Sequence, residues 1–276
     1  MTFPNQSVLA LAATLARYAA VAVSVTLAVG CRGLPGAEQG ARLASLDQLA
    51  TTPDAAGELI YDGAVYDPQR SAQQGPVFTY QRRVRAEGSR RVSTHLTRGP
   101  DDAALLSLTA THAPNYDFVD LAQVNRQNQV VGSARMRDEH HVAFERTRAG
   151  RTRTRIERVD VPVVVGPTLF GWALEHWDAL SRGEVFELRF AVIDDARTYA
   201  FELREIDGEA GTTVFSFAAS SALVRASVPP MRLVFDTKTR KILRYEGRVP
   251  PMLARGKRLA PFDARVEYTF VAPAYR

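Results

Sequence analysis

From Glu58 onward, this 276-residue chain alternates apolar and polar side chains in short runs. Phe186, Leu188, Phe190 and Val192 alternate with Glu187, Arg189 and Ala191. Tyr199, Phe201 and Leu203 alternate with Ala200, Glu202 and Arg204, and Val266, Tyr268 and Phe270 with Arg265, Glu267 and Thr269. A strand turns successive side chains to opposite sheet faces, so a period of two puts one face on a core and the other in water. Turn-forming clusters separate the runs: Glu87-Gly88-Ser89, Ala149-Gly150, Asp207-Gly208 and Asp236-Thr237-Lys238-Thr239. The last lies between Leu233–Phe235 and Ile242–Tyr245 and marks a hairpin. The spacing predicts about a dozen short strands or slightly more, which is sandwich or barrel territory.

One segment breaks the rhythm. Between Thr168 and Leu180, Phe170, Leu174 and Trp177 recur at helical spacing, and Leu169, Trp172 and Leu180 widen the apolar side. Pro167 and Thr168 suit a helix start, and Gly183 suits its end. Both tryptophans of the protein fall here. A lone aromatic helix among strands must bury its face, and the hollow of a bent sheet offers the place. The expected fold is therefore mainly β: a strongly curved antiparallel sheet, a half-barrel, wrapped around one aromatic-rich helix. A β-sandwich with the helix as a side plug is the alternative.

The N-terminus speaks to compartment. Tyr18 to Leu27 form an apolar run preceded by Arg17 and followed, after Ala28, Val29 and Gly30, by Cys31, the single cysteine of the chain. The run is shorter than the roughly 20 residues a membrane-spanning helix needs. Extending it backward would put Arg17 in the bilayer core at a cost of about 3 kcal/mol. A short apolar run, small residues and then cysteine is the grammar of a bacterial lipoprotein signal, after which the cysteine is acylated. An uncleaved anchor, or a secretory signal with an incidental cysteine, are the alternatives. On this reading residues 1–30 are a signal peptide and residues 31–57 a polar tether with Pro35 and Pro53. Residues 58–276 are then one β-rich domain. Acylated Cys31, with palmitate among its acyl groups, holds the protein to the envelope. Removing residues 1–30 leaves 34 Lys and Arg against 30 Asp and Glu. That balance does not ask for nucleic acid.

Two constellations stand out. Around Ala149-Gly150, a hairpin places Arg151, Arg153 and Arg155 on one face, with Arg146 and Arg148 across from them. Guanidinium groups so close repel, so an anionic neighbour would stabilise them: a phospholipid head group, a lipid A phosphate or a carboxylate-rich glycan. A solvated edge hairpin that blocks aggregation is the plainer reading. The second is aromatic: Phe170, Trp172, Leu174, Trp177, Phe186, Phe190 and Phe201 either fill the core or line a groove for an acyl chain. Chemistry is less visible. His95, His112, His140, His141 and His176 lack metal-ligand spacing, and no cofactor or metal is expected. Nucleophile motifs are missing, and Asp117 with Asp120, or Asp194 with Asp195, sit where turns commonly place acids. The expectation is a binding protein, not an enzyme.

The cysteine, tether, β pattern and embedded helix, closed by Leu233–Gly247, resemble exported bacterial lipoproteins with a half-barrel fold, the lipoprotein-localisation carrier and receptor families and their uncharacterised relatives. That resemblance spans about Leu59 to Phe270 and implies binding of a lipid or lipoprotein acyl chain. A structural adaptor that binds another envelope protein is the alternative. Arg32 stands where inner-membrane lipoproteins of this kind usually carry aspartate, which points to the outer membrane, facing the periplasm.

Overall fold

The computed structural model describes residues 57–271. The expected signal peptide, Cys31 and the tether up to residue 56 lie outside the described residues. The first half of the described chain is a run of strands: β1 (Glu58–Tyr66), β2 (Phe78–Glu87), β3 (Arg90–Arg98), β4 (Ala104–His112), β5 (Phe118–Asn125), β6 (Val130–Asp138), β7 (His141–Arg148) and β8 (Arg151–Arg158). The short β9 (Val163–Val164) leads into helices α1 (Gly166–Glu175) and α2 (Trp177–Ser181). Then come β10 (Phe186–Val192), β11 (Arg197–Ile206), β12 (Thr212–Ala219), helix α3 (Ala222–Arg225), β13 (Met231–Asp236) and β14 (Ile242–Arg248). A small hairpin, β15 (Leu253–Arg255) and β16 (Arg258–Ala260), precedes β17 (Asp263–Phe270).

Fifteen strands form one sheet in the order β8-β7-β6-β5-β4-β3-β2-β1-β17-β14-β13-β12-β11-β10-β9. Every pairing is antiparallel except β9 with β10. The sheet is curved and does not close into a barrel. Distances show how far it bends. Twelve strand spacings of about 4.8 Å separate β8 from β11, roughly 58 Å if flat. Yet Thr198 Oγ1 on β11 lies 3.0 Å from Glu157 Oε1 on β8.

The sheet rolls past its own end. Register places Arg189, Ala191 and Thr198 on one face of β10–β11, and Leu188, Phe190, Tyr199 and Phe201 on the other. Two cores lie on these two faces. The larger one gathers Leu188, Phe201, Leu203, Phe215, Phe217, Phe235 and the helices. The smaller joins Ala191 and Ile193 to Leu121, Val130, Ala134, Val142 and Phe144 of β5–β7. Neighbours Val163 and Val164 on β9 fall into different cores, as alternation across a strand requires. The β5–β8 arm thus lies over the reverse face of the β9–β10 end. Gly132 on β6 makes this approach possible, since a Cβ there would come within 2.5 Å of Ile193.

The helix fills the hollow, as expected, with two differences. It begins at Gly166 with Pro167 in its first turn, and Thr168 Oγ1 accepts from the Val165 N–H at 3.2 Å. It also breaks at His176, where φ −99° and ψ 15° leave the helical region and split α1 from α2. The His176 ring bonds the Trp172 carbonyl at 2.9 Å, a local competitor for the backbone ladder. Gly183, at φ +88°, donates to the Leu180 carbonyl and ends α2 as its position predicts. Phe170 meets Tyr61, Phe235, Tyr245 and Tyr268, and Trp177 meets Phe215 and Phe235 edge-on. One short helix touches strands from far along the sheet because the sheet bends around it.

At Gly171 the helix passes the Tyr116 ring so closely that a Cβ would lie 1.9 Å from it. Alanine in a helix interior ordinarily stabilises by about 1 kcal/mol over glycine. Here overpacking wins, and Gly171→Ala is expected to lower stability by about 1–3 kcal/mol in thermal or urea unfolding. A gain in stability would contradict the close approach of Gly171 to Tyr116.

Candidate functional site

The seven apolar residues expected to form a groove divide into two groups. Phe170, Trp172, Trp177 and Phe201 are core, between 2% and 8% exposed. Leu174, Phe186 and Phe190 are half-buried at the margin of the same core, together with Tyr199 and Val224. Phe186, Phe190 and Tyr199 share the inner face of β10–β11, with Phe190 directly opposite Tyr199. Phe190 rests against Phe201 and Phe217 at ring separations of 5.8 and 5.6 Å, and Phe186 against Trp172 at 5.2 Å. Beside Val224 on α3, Leu223 stands 82% exposed. The aromatic set is thus a filled interior with an apolar rim still open to water.

A buried polar cluster on β2–β4 was not legible in the sequence. Arg82, Ser93, His95 and His112 all lie inside, with Arg82 only 1% exposed. Arg82 Nη2 donates to Ser93 Oγ at 3.2 Å and to the Pro167 carbonyl at 3.3 Å, which ties the wall to the start of α1. His112 lies 2.8 Å from the Ala113 carbonyl through Nδ1 and 2.8 Å from Ser93 Oγ through Nε2. A carbonyl beside Nδ1 requires the proton there, so Ser93 donates to Nε2. Tyr80 Oη and His95 Nδ1 share a hydrogen bond. His95 Nε2 is buried with no hydrogen-bond partner among the described residues.

A serine bonded to a carbonyl-oriented histidine is the pairing that nucleophilic catalysis uses. Ser93 and His112 are both 0% exposed, however, so no substrate reaches them in this structure. The pair joins β3 to β4 within the interior. Burial, aided by the Arg82 charge, holds His95 well below the ordinary histidine range and lowers His112 as well. Burial also pushes the Tyr61 hydroxyl, near Arg82, up to about 12. In sequence only the two histidines draw notice, and their spacing gives them no metal-binding role. The better signal is the period of β2, which puts Arg82 inward between Tyr80 and Val84.

The arginine hairpin has the register expected of it. Arg148 pairs with Arg151 and Arg146 with Arg153, while Arg155 lies opposite the buried Phe144. All five share one face. Arg146 donates to the Asp194 carbonyl, and the Asp194 carboxylate bonds Gln123 and Asn128. Burial raises the Asp194 pKa against those two hydrogen bonds. Further along β8, Glu157 receives Arg189 at 2.9 Å and also accepts from Thr198. Arg155 is 4.0 Å from Glu157, and Arg151 and Arg153 make no ion pair among the described residues.

The other candidates scatter. His141 bonds Asp138, His176 stacks on Trp172 at 3.8 Å, and Asp195 accepts from Tyr199 at 2.7 Å. Asp117 accepts from Asn115 in the β4–β5 turn. No group of three or more metal-ligating side chains occurs among the described residues. Searches against protein-family models, curated proteins and solved structures find no match for this chain.

Two histidines kept neutral inside set a pH dependence. The unfolded chain binds their protons below about pH 6.5, and the folded chain takes them up only at lower pH. Stability is therefore present above that pH and declines as pH falls from 7 toward 5, by up to about 1.4 kcal/mol per pH unit for each histidine. Urea unfolding across that range checks the slope, and His112→Gln should remove one histidine's share. A flat profile in the parent protein would contradict the burial of these rings.

Proposed function

We propose that this chain is a bacterial envelope lipoprotein, held to the outer membrane by acylated Cys31, whose rolled β domain binds a hydrophobic or acylated ligand without catalysing a reaction. The sequence supports the tether and the compartment. The observation that carries the binding is the rim. Phe186, Phe190 and Tyr199, on the inner face of β10–β11, stay half-buried against a core that encloses Trp172, Phe201 and Phe217. An acyl chain laid there gains about 0.8 kcal/mol for each methylene it removes from water. Likeness to the lipoprotein-localisation families belongs to this proposal too, and rests on architecture alone.

Dense packing around Trp172, Trp177 and Phe201 favours a second reading, an adaptor that binds another envelope protein with a filled core. Displacement of a fluorescent fatty acid separates the two. The lipid-binding reading expects saturable uptake of the probe by delipidated protein. Phe190→Glu should weaken it about tenfold, the equivalent of losing contact with roughly two methylenes, measured at a temperature where circular dichroism shows the variant still folded. Protein that carries no lipid when purified and takes up no probe would leave the adaptor reading in place.

A further inference from the structure

The long free edge of the sheet is β8. The other end, β9, has two residues, both buried. Along β8 every side chain from Arg151 to Ile156 is exposed, and coverage begins only at Glu157. Ala149 and Gly150 have φ of 49° and 72°, the left-handed pair of a two-residue hairpin turn. Such a turn makes Arg148 and Arg151 a fully hydrogen-bonded pair, and the pattern then alternates along the ladder. The backbone groups of Arg151, Arg153 and Arg155 therefore point to β7. Those of Thr152, Thr154 and Ile156 point outward, and among the described residues no strand or loop pairs with them.

We infer that this edge receives an extended acidic segment of another polypeptide, which adds to the sheet as a sixteenth strand beside β8. The backbone of Thr152, Thr154 and Ile156 offers three N–H and three C=O groups at strand spacing, the requirement for strand addition. Specificity comes from the two faces. On the inner face, alternate residues of an added strand lie about 5 Å from Arg151, Arg153 and Arg155, within reach of carboxylates. On the outer face, Ile156 is 55% exposed and offers one apolar anchor between threonines. A second copy of this chain is disfavoured, because joining two β8 edges would set arginine against arginine. The occupant has acidic side chains at alternate positions and small or β-branched residues between them. This inference does not depend on ligand binding at the apolar rim.

The test uses a labelled peptide alternating glutamate with threonine and valine, added to the full chain, with a lysine-for-glutamate peptide as control. Fluorescence anisotropy should show saturable binding of the acidic peptide alone. Hydrogen exchange at the amides of Thr152, Thr154 and Ile156 should slow when it is present. Thr154→Pro removes one outward N–H at an edge position that tolerates proline. It should weaken binding about tenfold with the arginines intact. Reversing the charge with R151E, R153E and R155E together should move preference to the lysine peptide. Unchanged exchange at these amides, equal binding by Thr154→Pro, or equally tight competition from vesicles containing phosphatidylglycerol would overturn the inference and leave a merely cationic surface. The exchange measurement on the parent protein decides the matter even if a variant fails to fold.

Discussion

A sheet of fifteen strands cannot stay flat and bury one face with a helix of three turns. The overlap between the β5–β8 arm and the β9–β10 end is the constraint on which the rest depends. It creates two cores on opposite faces of β9 and β10. It is pinned where Glu157 meets Arg189 and Thr198, and where Asp194 meets Gln123, Asn128 and Arg146. Half-buried charged hydrogen bonds such as these are stronger than surface pairs and fix alignment between the layers. Apolar contact alone, being non-directional, would let the layers slide.

Inside the roll, polar and apolar parts divide the work. The helix meets an aromatic wall on β1, β13, β14 and β17 and a polar one on β2–β4. Arg82 joins the two by reaching the carbonyl of Pro167, where the first turn of α1 leaves its backbone exposed to a donor. A buried guanidinium demands partners, and Ser93 supplies one that it also shares with His112. This network places the helix in one orientation. Phe186, beside Trp172 and His176, and Phe190, beside Phe201 and Phe217, remain half-buried at the margin of this interior.

The unmatched edge of the sheet is handled by charge. A long open edge invites pairing with any chain, and arginines along β8 restrict which chains can approach. The same residues that block self-association create a preference for acid. Beyond Ile156, Arg189 and Thr198 cover the inner face of β8 at Glu157.

Much of the fold was legible because period two is local. Alternation in Phe186–Val192, Tyr199–Leu203 and Val266–Phe270 announced strands, Asp236–Thr239 announced a hairpin, and Ala149-Gly150 set the face shared by five arginines. The helix between Thr168 and Leu180 was visible from its spacing, although its break at His176 was not, since that depends on one side chain turning back to a carbonyl. Arg82, Ser93 and His112 gave no signal as a unit, because they meet only through strand pairings and a helix about 85 residues along the chain. What the amino-acid order determined by itself is class and polarity: many strands, one aromatic helix, and which side chains share a face. Tertiary structure alone decided which aromatics close into the core and which stay at the rim. It also decided that the sheet passes over its own end, because burial and overlap arise from contacts between residues that local periodicity cannot bring together.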